Sequence, residues 1–214
     1  SVNPVTGKQD FVMMSENQEI AMGKRYHSQV LQQIPPYQDA ELQDYVQRIG
    51  DSLSTQSHRP NLFYRFTILD SPDINAFALP GGYIYINRGL MAYLSSEEEL
   101  AAVLGHEIGH VTARHSVRQY SQSQLLGILS TAIEMNQGRS AGNLANLASG
   151  ALLSGYGRDM ELEADDLGAQ YIAQEGYSPQ GMFNVLSVLK DQEIYSKAQA
   201  KKRGQEPRSY HGVF

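Results

Sequence analysis

Residues 95–116 read SSEEELAAVLGHEIGHVTARHS, and the HEIGH at 106–110 within them points to a helix and a metal site together. On an α-helix His106 and His110 stand about one turn apart, so both imidazoles leave the same face, roughly 6 Å apart along the axis. Two such ligands can reach one tetrahedral zinc. Glu107 lies about a quarter-turn round from His106, displaced from the ligand direction but placed to touch a water held at the same site. H-E-x-x-H on a helix therefore predicts two zinc ligands and a general base for metal-assisted hydrolysis.

The flanking residues favour this reading over a solvated helix face. Leu100, Ala101, Val103, Leu104, Ile108 and Val111 make the segment mostly apolar. Polar side chains among them would be buried, which is costly without a partner, and a metal is such a partner. Ser95 and Ser96 with Glu98 and Glu99 form two overlapping S-x-x-E capping boxes, and the acids at 97–99 suit the positive end of the helix dipole.

Two rival metal chemistries share part of the pattern. Di-iron carboxylate bundles place E-x-x-H on two separate helices, but Glu107 to His110 is the only E-x-x-H in this chain. The metzincin extension requires Gly at 113 and His at 116, where this chain has Ala113 and Ser116, with His115 one residue short. The third ligand must come from elsewhere, and catalytic zinc commonly takes a carboxylate there, leaving its fourth position for water.

The best source is RDMELEAD at 158–165, a second strongly helical stretch. Glu161 and Asp165 are four apart and share a face, whereas Glu163 projects to nearly the opposite side. Glu161 is the candidate third ligand, and Asp165 the candidate acceptor for the spare N–H of a ligating histidine. Arg158, on the same face, could pair with these carboxylates or bind a substrate carbonyl or an anionic transition state. Glu163 and Asp166 read as solvated, and His27, His58 and His115 as surface or locally hydrogen-bonded residues.

HEIGH, followed by ELEAD at 161–165 and preceded by NAFALPGG at 75–82, resembles the HtpX- and Ste24-related family of gluzincin metallopeptidases, in particular its periplasmic BepA-like branch. The resemblance runs from NPVTGKQDF near the start through the helix after Pro179. It implies a zinc endopeptidase with one Zn2+ per chain, His106, His110 and Glu161 as ligands, Glu107 as catalytic base and acid, and Asp165 orienting a ligand. It also implies misfolded or envelope proteins as polypeptide substrates. In the family a histidine on a late loop can cover the zinc as a reversible fourth ligand. His211 is the candidate for that role here, although the usual motif is His-Pro and Gly212 comes after it. A competing reading keeps the zinc but makes the chain a binding or chaperone-like module whose site is latched shut.

The segment NAFALPGGYIYIN at 75–87 has its own pattern: LFYRFTIL at 62–69 alternates as a strand, a Ser-Pro-Asp turn comes next at 71–73, and Pro80-Gly81-Gly82 turns a second strand into a third. A sheet edge beside zinc can take an extended polypeptide by strand addition. The resemblance makes Asn75, Ala76, Phe77 and Ala78 candidates for substrate contact, against an ordinary core hairpin in which Phe77, Ile84 and Ile86 only pack.

With 214 residues, 19% charged and 41% hydrophobic, the chain suits one compact domain with a substantial core. A net charge of −6 without a basic patch excludes a nucleic-acid footprint. No cysteine is present, which excludes disulfides and thiolate catalysis. The apolar stretches at 125–133 and 144–155 are too short and too polar to span a bilayer. The start SVNPVTGKQ resembles the segment just after a lipid-modified cysteine in similar bacterial proteins. The expectation is a periplasmic lipoprotein with peripheral membrane association through an anchor that precedes Ser1.

Together these readings predict an α+β fold: a mostly helical, zincin-type metallopeptidase domain with a small antiparallel sheet whose edge borders the active-site cleft. It occupies 1–214 as a single domain, with 1–14 an N-terminal extension and 201–214 a C-terminal loop or tail. Helices are expected at about 15–33, 39–57, 96–115, 117–133, 143–155, 159–175 and 179–200, with the sheet near 62–87.

Overall fold

The computed structural model describes residues 1–121 and 156–204. Helix α1 (Glu16–Gln33) starts at Ser15, whose side chain accepts from the Gln18 N–H while the Gln18 side chain caps Ser15 in return. Helix α2 (Ala40–Thr55) starts at Asp39, which accepts from the Leu42 N–H, and buries Val46, Ile49 and Leu53 along one stripe.

The sheet has three strands, β1 (Arg65–Leu69), β2 (Ala76–Leu79) and β3 (Tyr83–Asn87), in the order β1-β3-β2. The α+β architecture is present, but the sheet is mixed rather than antiparallel. β3 pairs antiparallel with β2 and parallel with β1. The cause is the connection at 70–75, which carries the chain past the position that β3 fills, so that β2 and β3 form a hairpin and β3 returns in the direction of β1. Gly81 and Gly82 make that hairpin turn with φ of 88° and 103°, the left-handed region that favours glycine.

The outer edge of β1 is closed by two glutamines one turn apart on α2. Gln43 accepts from the Ile68 N–H at 2.9 Å and donates to the Ile68 carbonyl at 2.9 Å. Gln47 accepts from the Phe66 N–H at 2.9 Å and donates to the Tyr64 carbonyl at 3.1 Å. An edge satisfied this way offers little to an incoming strand.

A short helix α3 (Arg88–Met91) leads to α4 (Glu97–Thr112), which is buried from Glu99 to Thr112. Its N-cap is Ser96, accepting from the Glu99 N–H, and the Glu99 carboxylate accepts from the N–H and Oγ of Ser95. Of the two expected boxes, only the serine half of the one at Ser96 is made, because the Glu99 carboxylate turns to Ser95 rather than to the Ser96 N–H. α4 stops earlier than the expected 115 because Arg114 adopts φ 55°, the left-handed conformation usually taken by glycine after a helix. That conformation is held by a buried ion pair: Arg114 Nε lies 2.9 Å from Glu19, which also takes Arg59 at 2.9 Å. Arg59 in turn donates to the Val111 carbonyl near the end of α4. Helical structure resumes at 115–121.

Helices α5 (Arg158–Gln174) and α6 (Gln180–Lys202) pack against α4, as does β2. The α4–α5 approach is set by small residues. A Cβ added to Gly168 would lie 2.8 Å from the His106 backbone nitrogen, and one on Gly109 would lie 2.9 Å from the Ala164 carbonyl oxygen. One core gathers Val46, Leu53, Ile84, Ile86, Leu104, Ile108, Tyr171 and Ile172 around this helix pair. Among the described residues no helix is long and apolar enough to cross a membrane. The stretches at 125–133 and 144–155, and His211, lie outside the described residues.

Candidate metal centre

His106 and His110 leave α4 on one face, as their spacing requires, and their Nε2 atoms stand 3.0 Å apart. Glu161, in the first turns of α5, reaches them from across the helix interface. Its carboxylate oxygens lie 3.1 Å from His106 Nε2 and 3.4 Å from His110 Nε2. One donor atom from each of the three falls within 4.8 Å of the others. Zinc–nitrogen bonds of about 2.0–2.1 Å place two tetrahedral ligands roughly 3.3 Å apart, so this spacing suits one small cation. Ligation requires both nitrogens unprotonated, and the two facing imidazole lone pairs are then accommodated in a buried space by a positive charge between them.

Unsatisfied atoms point the same way. Glu161 Oε2 is buried and lies 3.1 Å from His106 Nε2, with no other donor among the described residues. Glu107 is 1% exposed, and neither carboxylate oxygen has a hydrogen-bond partner among the described residues. A buried carboxylate with no donor is costly unless it serves a water or a cation. Glu161 and Asp165 bring two negative charges, which a divalent cation balances. These residues fit a zinc ion.

Asp165 stands where the sequence placed it, with Oδ1 2.7 Å from His106 Nδ1. An ionised Asp165 accepts there from Nδ1–H, which leaves Nε2 as the nitrogen turned toward His110 and Glu161. Burial opposes charge on His106, but the bonds to Asp165 and Glu161 prevail and raise it to about 9. Burial lowers His110 to about 3. Burial would raise Glu161, yet the two histidines hold it at about 2. Burial pushes Glu107 up to about 8; nearby His106 opposes this and Glu161 adds to it. A cation beside Glu107 acts against that rise and favours the base form.

Two residues that read as peripheral in the sequence belong to the site. His115 is fully buried, with Nδ1 2.8 Å from His110 Nδ1 and Nε2 2.8 Å from Glu163. Glu163, expected on the opposite solvated face, also takes Arg118 Nη1 at 3.2 Å. Asp166 is exposed, as expected. Tyr156 stacks on His110 with ring centroids 4.2 Å apart and hydrogen-bonds to Ser116; burial, its largest influence, raises its phenol. The one sequence cue for Tyr156 is its place between Gly155 and Gly157.

Arg158 opens α5 as an exposed residue and makes no ion pair with Glu161 or Asp165. It lines a shallow depression of about 330 Å³ with Gln119 and Met160. His27 bonds to Tyr85 Oη at 2.6 Å and His58 to Tyr171 Oη at 2.6 Å, both local partners as expected.

In β2 the Asn75 carbonyl accepts from the Asn87 N–H at 2.9 Å. Antiparallel pairing alternates from there, so Phe77 and Leu79 turn their backbone groups toward β3 and Ala76 and Ala78 turn theirs outward. Among the described residues those outward groups have no partner. The Phe77 ring stacks on Tyr85 at 4.7 Å, a packing role. Asn75 Oδ1 is buried and unsatisfied.

The family model described as Peptidase family M48 matches residues 39–210. The chain is similar to the beta-barrel assembly-enhancing protease of Yersinia pestis, 33% identical over 204 residues that cover 90% of this chain and 42% of that protein. The Escherichia coli (strain K12) protein of the same name is 32% identical over 195 residues, covering 86% of this chain and 40% of that protein. The mitochondrial metalloendopeptidase OMA1 of Schizosaccharomyces pombe is 28% identical over 182 residues, covering 82% and 53%. The chain thus spans about two fifths of the bacterial relatives it matches.

Proposed function

This chain belongs to peptidase family M48, a metalloprotease family, and on that premise we propose that it is a zinc-dependent endopeptidase with Glu107 as its general base and acid. The observation that carries the reading is the convergence of His106, His110 and Glu161 beside a buried Glu107 whose carboxylate has no hydrogen-bond partner among the described residues.

When bound, zinc lowers the pKa of a water toward about 7 and polarises a carbonyl. The chain's own residues do the rest. Glu107 takes a proton from the water as the water oxygen bonds to the peptide carbonyl carbon, and returns that proton to the leaving amine nitrogen as the C–N bond breaks. Asp165 holds His106 with its Nε2 lone pair aimed at the site. The outward backbone groups of Ala76 and Ala78 accept and donate to an extended polypeptide, a mode that reads little side-chain identity, with Asn75 and Phe77 beside them on the same strand. Arg158, exposed at the start of α5, would steady a substrate carbonyl or the anionic transition state.

The natural substrates proposed are misfolded or envelope proteins in the bacterial periplasm, with lipid anchoring and His211 as a reversible fourth ligand resting on the family resemblance. Glu107→Gln is expected to keep one zinc per chain by elemental analysis while cleavage of an unfolded polypeptide such as casein falls by about 10²–10⁴, the usual weight of acid–base catalysis. Undiminished cleavage would remove Glu107 from the mechanism. Zinc in both proteins with cleavage in neither would favour a latched binding module.

A further inference from the structure

Resting on the reading that His106, His110 and Glu161 hold the metal, we propose that His115 and Glu163 form a two-step positioning relay that fixes the tautomer and the aim of His110. Asp165 does this for His106 in one step, at 2.7 Å. Among the described residues no carboxylate touches His110 Nδ1. Its neighbour there is His115 Nδ1, 2.8 Å away, and His115 Nε2 lies 2.8 Å from Glu163 Oε1.

With His115 neutral, one arrangement of protons satisfies this line. An ionised carboxylate accepts and cannot donate, so His115 carries its proton on Nε2 and gives it to Glu163. A neutral His115 then has a lone pair on Nδ1, which accepts from His110 Nδ1–H. His110 is left with its lone pair on Nε2, facing His106 Nε2 at 3.0 Å. With the opposite polarity the His110 proton would sit on Nε2, inside the donor set, and block a ligand bond.

The backbone is built for this contact. In an uninterrupted helix a residue five positions on lies about 140° round the axis, away from His110. The left-handed Arg114, φ 55°, breaks α4 and swings His115 back onto the ring. Arg118 Nη1 holds Glu163 at 3.2 Å, and Tyr156 covers the face of His110 at 4.2 Å, which prevents the ring from turning away. The line from His110 to Glu163 passes through an imidazole with no solvent exposure, so water cannot substitute for either bond.

The test compares wild type with His115→Phe, Glu163→Ala and Glu163→Gln by three measurements: zinc affinity by chelator competition, thermal unfolding, and the His110 tautomer in the zinc-free protein by side-chain nitrogen NMR. The relay predicts that His115→Phe and Glu163→Ala weaken zinc binding by roughly 10–100-fold, the range for outer partners of metal ligands. Both lose the uniform Nδ1–H form of His110. Glu163→Gln keeps both affinity and tautomer near wild type, because His115 Nε2 and Arg118 Nη1 both donate to Oε1 and together hold the amide oxygen at that position. Should His115→Phe fail to fold, Glu163→Ala changes a side chain at the helix surface and decides alone. Wild-type zinc affinity in Glu163→Ala, or an Nε2–H tautomer of His110 in the wild type, overturns the relay. If wild type itself holds no zinc, the metal reading fails instead, and the tautomer in the zinc-free protein still decides whether the relay exists.

Discussion

Of the two helices that meet at the metal centre, α4 is buried from Glu99 through Thr112, whereas α5 buries only Ala164, Leu167, Gly168, Tyr171 and Ile172. The division reflects the chemistry of the donors. Imidazoles ligate as neutral rings and can be taken wholly out of water. Carboxylates ligate as anions, whose full burial is costly, and Glu161 and Asp165 keep 16% and 23% of their side-chain surface. Glu107 departs from that division, a carboxylate of the site on the buried helix. Burial raises it to about 8, the direction that suits a base kept out of water.

The comparison breaks most sharply if donors on the half-exposed helix prove dispensable. Glu161→Gln removes the only carboxylate that touches both histidines, and zinc affinity measured by chelator competition should fall by more than the roughly 10–100-fold an outer partner costs. Next comes Gly168→Ala. Its new Cβ would meet the His106 backbone nitrogen at 2.8 Å, and overpacking of this kind costs about 1–3 kcal/mol, to be read in denaturant unfolding, with weakened zinc binding in the same samples. Asp166→Ala, on the exposed side of the same helix, should stay within about 0.5 kcal/mol of wild type. Equal effects at 166 and 168 would show that the close approach of the helices does not position the site.

Asp165→Asn is expected to lower zinc affinity by about 10–100-fold with unfolding stability little changed, since an amide can present an N–H to His106 and favour the wrong tautomer. The smallest effect lies off both helices. Burial and then the Arg65 charge lower the His27 pKa below its ordinary 6.5. The folded state therefore favours neutral His27, and its contribution is complete above the unfolded pKa and lost as pH falls through the folded one. A small acid-side loss of stability should appear in thermal unfolding of wild type and vanish in His27→Gln.

The same contrast explains how far the sequence is legible. His106, Glu107 and His110 can be read because a helix turns local spacing into shared direction, and Glu161 with Asp165 because four-residue spacing does the same on the second helix. The two histidine supports differ in this respect. Asp165 lies on the face that periodicity assigns it. His115 reads as a surface or locally hydrogen-bonded residue because helical continuity points it away from His110, and the left-handed Arg114, held by a glutamate from α1, turns it inward. Glu163 reads as solvated for the same reason, its partner being invisible in the spacing. The parallel pairing of β1 with β3 and the sealing of β1 by Gln43 and Gln47 depend on contacts distant in sequence. Hydrophobic alternation locates strands but not their order.

The central claim is that α4 and α5 together hold one zinc through two imidazoles and one carboxylate. X-ray absorption at the zinc edge, on protein purified without chelators and checked for metal content, tests it most directly. One zinc per chain with a first shell of two histidine nitrogens and oxygen is the predicted result. No retained zinc, or a shell without histidine, would contradict the account.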